Sequence, residues 1–255
     1  MTAAIEIRHV SHAFRGGALP VLADMSVEVP AGSFVSLVKP SGCGKSTLLR
    51  MLAGLLSADE GEVRVDGQDV PGRPGGVAYM PQKDLLFPWR RALGNAALGA
   101  EIAGQPRGEA RARALALFPR FGLAGFERAW PAQLSGGMRQ RLALLRTFLM
   151  PRDVLLLDEP FGALDAINRR EMQRWLQEVW IADRRTVLFV THDVEEALLL
   201  SDAVLVMTSR PGRIQASVEV PFTRPREPGI VADPEFVQLK AKLLAALDAG
   251  MRPGE

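Results

Sequence analysis

The chain has 255 residues, 47% of them apolar and 24% charged, and its 31 basic and 29 acidic side chains leave a formal charge of +2. That length admits one large α/β domain with an inserted or appended subdomain, and the composition argues against a disordered or fibrous chain. Positive charge is scattered in arginine pairs such as Arg169/Arg170 and Arg184/Arg185, which argues against nucleic acid as a partner, and the single cysteine, Cys43, excludes an intramolecular disulfide or a cysteine-clustered zinc site.

Residues 5–7, 25–29 and the alternating 62–65, closed by Asp66-Gly67, read as short strands of a small antiparallel sheet. Between them the run 34–38 predicts a buried strand, followed by a Gly-rich turn and a helix over 46–54 with apolar spacing and a closing glycine. From about 93 to 150 the pattern changes to helical stretches rich in Ala, Leu and Arg, punctuated by Gly and Pro, which predicts an all-helical insertion. The continuous apolar runs 154–157 and 187–190 suit strands buried on both faces of a parallel sheet, with a crossover helix over 169–180. The tail from Arg213 onward is interrupted by prolines and ends in an amphipathic segment near 236–247 that carries no recognisable chemistry.

Four segments carry chemistry. Lys39-Pro40-Ser41-Gly42-Cys43-Gly44-Lys45-Ser46-Thr47 lies between a strand and a helix, the context of a phosphate-binding loop. Backbone N–H groups there can wrap an anion, with Lys45 reaching the terminal phosphates and the Ser46 hydroxyl ligating Mg²⁺. Lys39 stands where such loops have their first glycine; if the position requires a left-handed backbone, a non-glycine residue costs about 1–2 kcal/mol, which leaves a weakened nucleotide site as an alternative. Asp158-Glu159 closes a buried strand: Asp158 suits holding Mg²⁺ and Glu159 polarising water, with a helix cap as the plainer reading. His192 closes the next strand and would emerge on the same sheet edge, where doubly wound sheets bind ligands; it reads as a γ-phosphate sensor, and Asp193 as a helix cap. Finally, Ser135-Gly136-Gly137 opens a helical run and offers a second helix N-terminus with exposed donors, either a plain cap or a second phosphate site. If it serves nucleotide held by another copy, the protein works as a dimer.

With these segments in hand, the sequence resembles the ABC ATPase family over nearly its full length. Leu134-Ser135-Gly136-Gly137 resembles the family signature, Asp158-Glu159 its Walker B motif, Gly162-Ala163-Leu164-Asp165 its D-loop, His192 its switch histidine and Gln82 its Q-loop glutamine. Phe14 stands where the family has an aromatic residue that stacks on adenine. The resemblance implies a P-loop NTPase core of α/β class, with an N-terminal antiparallel β subdomain and an inserted α-helical subdomain at about 85–150. It places the ATPase domain at 1–215 and a C-terminal extension at 216–255. It also implies ATP and Mg²⁺ as ligands, with Ser46, Gln82 and Asp158 around the metal and Glu159, His192 and Gln82 at the γ-phosphate. Two ATP molecules would lie head to tail in a homodimer, each between one copy's P-loop and the other's signature.

The runs 80–89, 144–149 and 209–214 are similar to importer ATPases for nitrate, sulfonate, taurine and thiamine-precursor pyrimidines. Expected partners are therefore a membrane permease and, indirectly, a solute-binding protein. No basic segment followed by an apolar core opens the sequence and no run of about eighteen apolar residues occurs, so the expectation is a cytoplasmic protein peripheral on the inner face of the cell membrane. Residues 82–91, including Leu86, Phe87 and Trp89, are expected to form the groove for a permease helix, with local core packing as the other reading of that aromatic cluster. The rivals are a non-transport ABC ATPase, which needs long coiled-coil insertions or a second ATPase domain, and a P-loop kinase, which has no use for residues 134–137.

Overall fold

The computed structural model describes residues 3–14, 16–17, 19–38, 44–70, 72 and 74–251. Two sheets organise it. An antiparallel sheet, in the order β2-β1-β4-β5, is built from β1 (Ala3–Phe14), β2 (Leu19–Pro30), β4 (Glu60–Val65) and β5 (Gln68–Asp69). A six-stranded sheet in the order β10-β9-β3-β8-β7-β6 holds β3 (Phe34–Val38), β6 (Ala78–Met80), β7 (Val154–Asp158), β8 (Thr186–Thr191), β9 (Ala203–Met207) and β10 (Ile214–Glu219). Its neighbours pair in parallel except β10, which runs antiparallel to β9.

The apolar runs have no polar face because both faces of the central sheet are covered. Along β7, Leu155 and Leu157 enter one core while Val154 and Leu156 enter another; along β8, Val187 and Phe189 take the first side and Leu188 and Val190 the second. Such alternation follows from the two-residue period of a strand. On the second side lie α1 (Lys45–Leu52) and the apolar face of the antiparallel sheet, including Ile5, Ile7, Val27 and Val29. On the first lie α2 (Ala92–Ala96), α4 (Arg107–Leu117), α5 (Gly136–Phe148) and α6 (Ala166–Asp183), with the short α3 (Leu98–Ile102) completing the helical region. The expected division into a β subdomain, an α/β core and a helical insertion is the one observed. At about 1.5–3 kcal/mol for each fully buried Val, Leu or Phe, this two-sided burial dominates the stability of the fold.

Three of the helices near the carboxyl edge of the sheet start on side-chain caps. Ser135 accepts from the Met138 N–H, Asp165 from those of Ile167 and Asn168, and Asp193 from those of Glu195 and Glu196 at the start of α7 (Val194–Leu200). Each such cap is worth about 1 kcal/mol and fixes where its helix begins.

The C-terminal region packs onto the core. The expected boundary at 215 falls inside β10, and α8 (Pro234–Met251) buries Phe236 and Leu243 against Val194, Val204, Val206 and Val218. Arg226 reaches from the connecting segment to the carbonyls of Leu198 and Ser201, 2.7 Å each, at the end of α7, where the helix dipole favours a cation. Burial, with the neighbouring Arg224, draws its guanidinium down to about 10.

Candidate functional site

The carboxyl ends of β3, β7 and β8 gather on one edge because the three strands are parallel and in register, with Val38 opposite Thr191 and Asp158 opposite Val190. Lys39, Pro40, Ser41, Gly42 and Cys43 lie outside the described residues. Gly44 follows them with φ +97°, and a Cβ on it would come within 2.8 Å of the Val21 Cγ1, so this position both turns left-handed and abuts β2. Lys45 then opens α1, and Thr47 is buried on its inner face.

Lys45 donates through Nζ to the Glu159 carboxylate. From the next residue, the Ser46 hydroxyl donates to Asp158 Oδ2 at 3.2 Å, and Asp158 itself is buried. Gln82 Nε2 donates to Glu159 Oε2 at 3.0 Å, while His192 Nδ1 stands 3.6 Å from the same oxygen. Five of the residues singled out in the sequence, Lys45, Ser46, Gln82, Asp158 and His192, thus meet at or beside the Glu159 carboxylate. Asp158 and Glu159 are not a helix cap, whereas Asp193 is.

Glu159 has φ +50°, in the left-handed region, at a cost of about 1–2 kcal/mol for a residue with a Cβ. Its N–H donates to the Val190 carbonyl at 2.8 Å, and its carbonyl accepts from the Gly162 N–H at 3.2 Å and from Gln140 Nε2 at 2.9 Å. A strained backbone held from several sides at a strand end is the pattern found at active sites. The sequence reading passed over Gln140. Its signal was a polar residue whose i+3 and i+4 neighbours, Ala143 and Leu144, belong to the buried face of α5.

Ser135 and Gly136 are exposed, and among the described residues, chain neighbours and the helix's own backbone aside, a Cβ built on Gly136 would meet only the Arg139 guanidinium, at 3.9 Å. Gly137 is different: its Cβ would meet Leu164 Cδ2 at 3.2 Å and the Ala163 carbonyl at 3.5 Å, so residues 162–165 pack against the start of α5 in the same chain. Asp165 lies at the exposed end of that turn, its carboxyl held below the usual range by the Asn168 N–H.

Phe14 ends β1, paired with Leu19, and is partly exposed with its ring edge-on to His12 at 4.8 Å. It lies on the hairpin whose second strand, through Val21 and Leu22, would crowd a side chain at Gly44. Beneath it, buried His12 stands 3.1 Å from Asp59, which also accepts from the Ala13 N–H.

The expectation for the segment 82–91 needs one correction. Leu86 is 8% exposed and belongs to the helical core, because the chain turns there and sends the neighbouring Leu85 outward, 58% exposed. Leu85, Phe87, Leu98, Ile102, Leu55 and Met150 line an apolar groove of about 520 Å³ between the core and the helical region. Trp89, 70% exposed, stacks on Phe87 at 5.1 Å. Leu86 thus packs as core, while Leu85 and Trp89 are exposed and Phe87 is half-buried.

A family model described as "ABC transporter" matches residues 22–162. The chain belongs to the ABC transporter family. Curated relatives in that family include the taurine import ATP-binding protein of Rhizobium johnstonii, 42% identical over 95% of this chain and 96% of that one. The aliphatic sulfonates import ATP-binding protein of Rhodococcus jostii is 46% identical over 95% and 93%, and the formylaminopyrimidine import ATP-binding protein of Halalkalibacterium halodurans 43% identical over 85% and 84%. Among solved ABC structures, a post-hydrolysis ATP-binding cassette bound to ADP and Pi, solved as a dimer, superposes with a TM-score of 0.78 at 26% identity, covering 86% of this chain and 100% of that one.

Proposed function

We propose that this chain is the ATP-binding and ATP-hydrolysing subunit of an ABC importer that energises uptake of a small solute, of the sulfonate, taurine, nitrate or thiamine-precursor pyrimidine class, through a separate permease. The observation that carries the hydrolytic part is the convergence of Lys45, Gln82 and His192 on the Glu159 carboxylate beside the Ser46–Asp158 pair.

In this reading Lys45 exchanges its carboxylate partner for the β- and γ-phosphates when ATP enters, aided by backbone N–H groups of residues 41–47 at the N-terminus of α1. Phe14 offers its ring to adenine. Release from Lys45 leaves Glu159 free to orient a water and accept its proton as the water oxygen attacks the γ-phosphorus and the bond to the ADP oxygen breaks. His192 and Gln82 flank the same carboxylate and contact the γ-phosphate and the water. The oxygen donors Ser46, Asp158 and Gln82 suit Mg²⁺, which takes few protein ligands and keeps waters and phosphates for the rest; when bound it neutralises charge on the phosphates. Ser46 Oγ and Asp158 Oδ2 already lie 3.2 Å apart, a spacing one hard cation can share.

The exposed Ser135-Gly136 start of α5 faces the γ-phosphate of ATP held by a second copy, so the working unit is a homodimer. The apolar groove beside Leu85 and Phe87 receives a permease helix, and the chain works at the cytoplasmic face of the membrane, with a solute-binding protein as an indirect partner; no helix among the described residues is long and apolar enough to cross a membrane. The names of the relatives support the importer reading and the cargo class.

Steady-state ATP hydrolysis across a range of protein concentrations, beside Glu159→Gln, tests this function. Turnover per subunit that rises with concentration and is lost in the variant is the expected result. Turnover that is independent of concentration, or retained without the carboxylate, would contradict it.

A further inference from the structure

Helix α5 does more than present its N-terminus. Gln140, 6% exposed, lies one turn in from the signature glycines and uses both ends of its amide: Nε2 donates to the Glu159 carbonyl at 2.9 Å, and Oε1 accepts from the Ala163 N–H at 2.6 Å. The flanking residues make parallel links. Arg139 Nε donates to Asp84 Oδ2 at 3.0 Å, two residues from Gln82, and Arg141 donates to Asn168 Oδ1 at 3.2 Å beside the Asp165 cap. Further along, Arg146 donates to the carbonyls of Asp84 and Leu85 at 2.7 and 2.8 Å. One helix thus grips the Gln82 segment, the backbone of Glu159 and the 162–165 turn.

The Gln140 contact stands out because it falls on the strained residue. A backbone in the left-handed region persists only when its surroundings over-determine it, and Glu159 has φ +50° with its carbonyl held by Gln140 and Gly162. We propose that Gln140 is a positioning residue for hydrolysis, locking the backbone of Glu159 and Ala163 to the signature-bearing helix so that the Glu159 carboxylate stays aimed at the attacking water. It touches neither nucleotide nor water; it acts through the main chain of the residue that does. This inference rests on the role proposed above for Glu159.

The test is the separation of kcat from KM for ATP in the full chain carrying Gln140→Met, which fills the same space without either hydrogen bond. A companion, Gln140→Glu, keeps the acceptor for the Ala163 N–H and loses the donor to the Glu159 carbonyl. Thermal melting identifies a temperature at which every variant is folded, and Glu159→Gln is measured alongside. Misaiming a reacting group costs about ten- to a hundred-fold in rate, so both Gln140 variants are expected to lose about that much kcat while KM for ATP changes by less than about twofold. A purely structural role would leave kcat per folded subunit unchanged, and that result, beside an inactive Glu159→Gln, would overturn this inference alone. Parallel losses in kcat and ATP affinity would also overturn it, because they report general damage to the site. If Glu159→Gln hydrolyses ATP like the parent, the role of Glu159 falls and this inference falls with it.

Discussion

The carboxyl edge of the central sheet and the start of α5, the two surfaces proposed above to meet phosphate, are in opposite conditions. At the sheet edge the charged and polar groups are satisfied by one another: Lys45 on Glu159, Ser46 on Asp158, Gln82 on Glu159. At α5, Ser135 spends its oxygen on capping its own helix, and the space over Gly136 is open. In the proposed reading, a ligand at the first region must compete with internal partners, and the second is a wall without a site of its own. In the dimer proposed above, one copy carries two unlike halves, and a second copy related by a two-fold axis would supply the complement of each.

The largest effect should follow from breaking the first half. Glu159→Gln keeps the shape and removes the base, and turnover is expected to fall about 10²–10³-fold with ATP binding retained, as followed by single-turnover hydrolysis and equilibrium nucleotide binding. Equal loss of binding would place Glu159 in ATP affinity rather than in the chemical step.

Gly136→Asp attacks the second half without touching the first. An acid in the first turn of α5 suits the helix dipole, so the melting temperature should hold or rise slightly. The same charge faces an incoming phosphate, and turnover should drop at least about tenfold while ATP affinity of the isolated subunit stays at the parental value. Weakened binding to the single subunit would show that one chain uses both surfaces on one nucleotide.

Trp89→Ala separates both halves from the membrane. The side chain is 70% exposed, so folding and the isolated ATPase rate should be unchanged, whereas coupling of hydrolysis to a reconstituted permease should weaken several-fold by loss of an exposed aromatic anchor. Unaltered transport in that variant would remove this residue from the docking surface.

A smaller effect is expected beside His192. Glu196 is buried among Thr191, which donates to it at 2.6 Å, and Gln173, at 3.0 Å, and burial raises its carboxyl above the ordinary range. A carboxyl raised on folding contributes stability that is full below its unfolded value and lost as pH rises through the folded one. Glu196→Gln should therefore melt higher than the parent at neutral pH, with the advantage vanishing in acid. A variant less stable at neutral pH would mean that the carboxylate contributes more than its desolvation costs.

Much of this was legible in the sequence, for identifiable reasons. The runs 154–157 and 187–190 could be read as doubly covered strands because nothing polar interrupts them, and Asp158, Glu159 and His192 were placed on one edge simply by following those runs. Ser135 and Asp193 announced their helices as caps. Other features depend on three-dimensional placement. Whether Leu85 or Leu86 faces outward is set by a local turn that no periodicity marks, and the grip of Gln140 on Glu159 and Ala163 joins residues 19 and 23 positions apart through a side chain that looks like an ordinary helix polar residue. Integration of the tail was hidden for the same reason: Arg226 reads as one more scattered arginine until α7 ends against it.

The claim that each copy holds two incomplete halves is tested most directly by the mass of Glu159→Gln in solution, measured by sedimentation or light scattering with and without Mg·ATP. A monomer without nucleotide that becomes a dimer with it, and stays a monomer when Gly136→Asp is added, is the predicted result. A variant that binds ATP with no change in mass would contradict it and return the open face of α5 to the status of a plain helix cap.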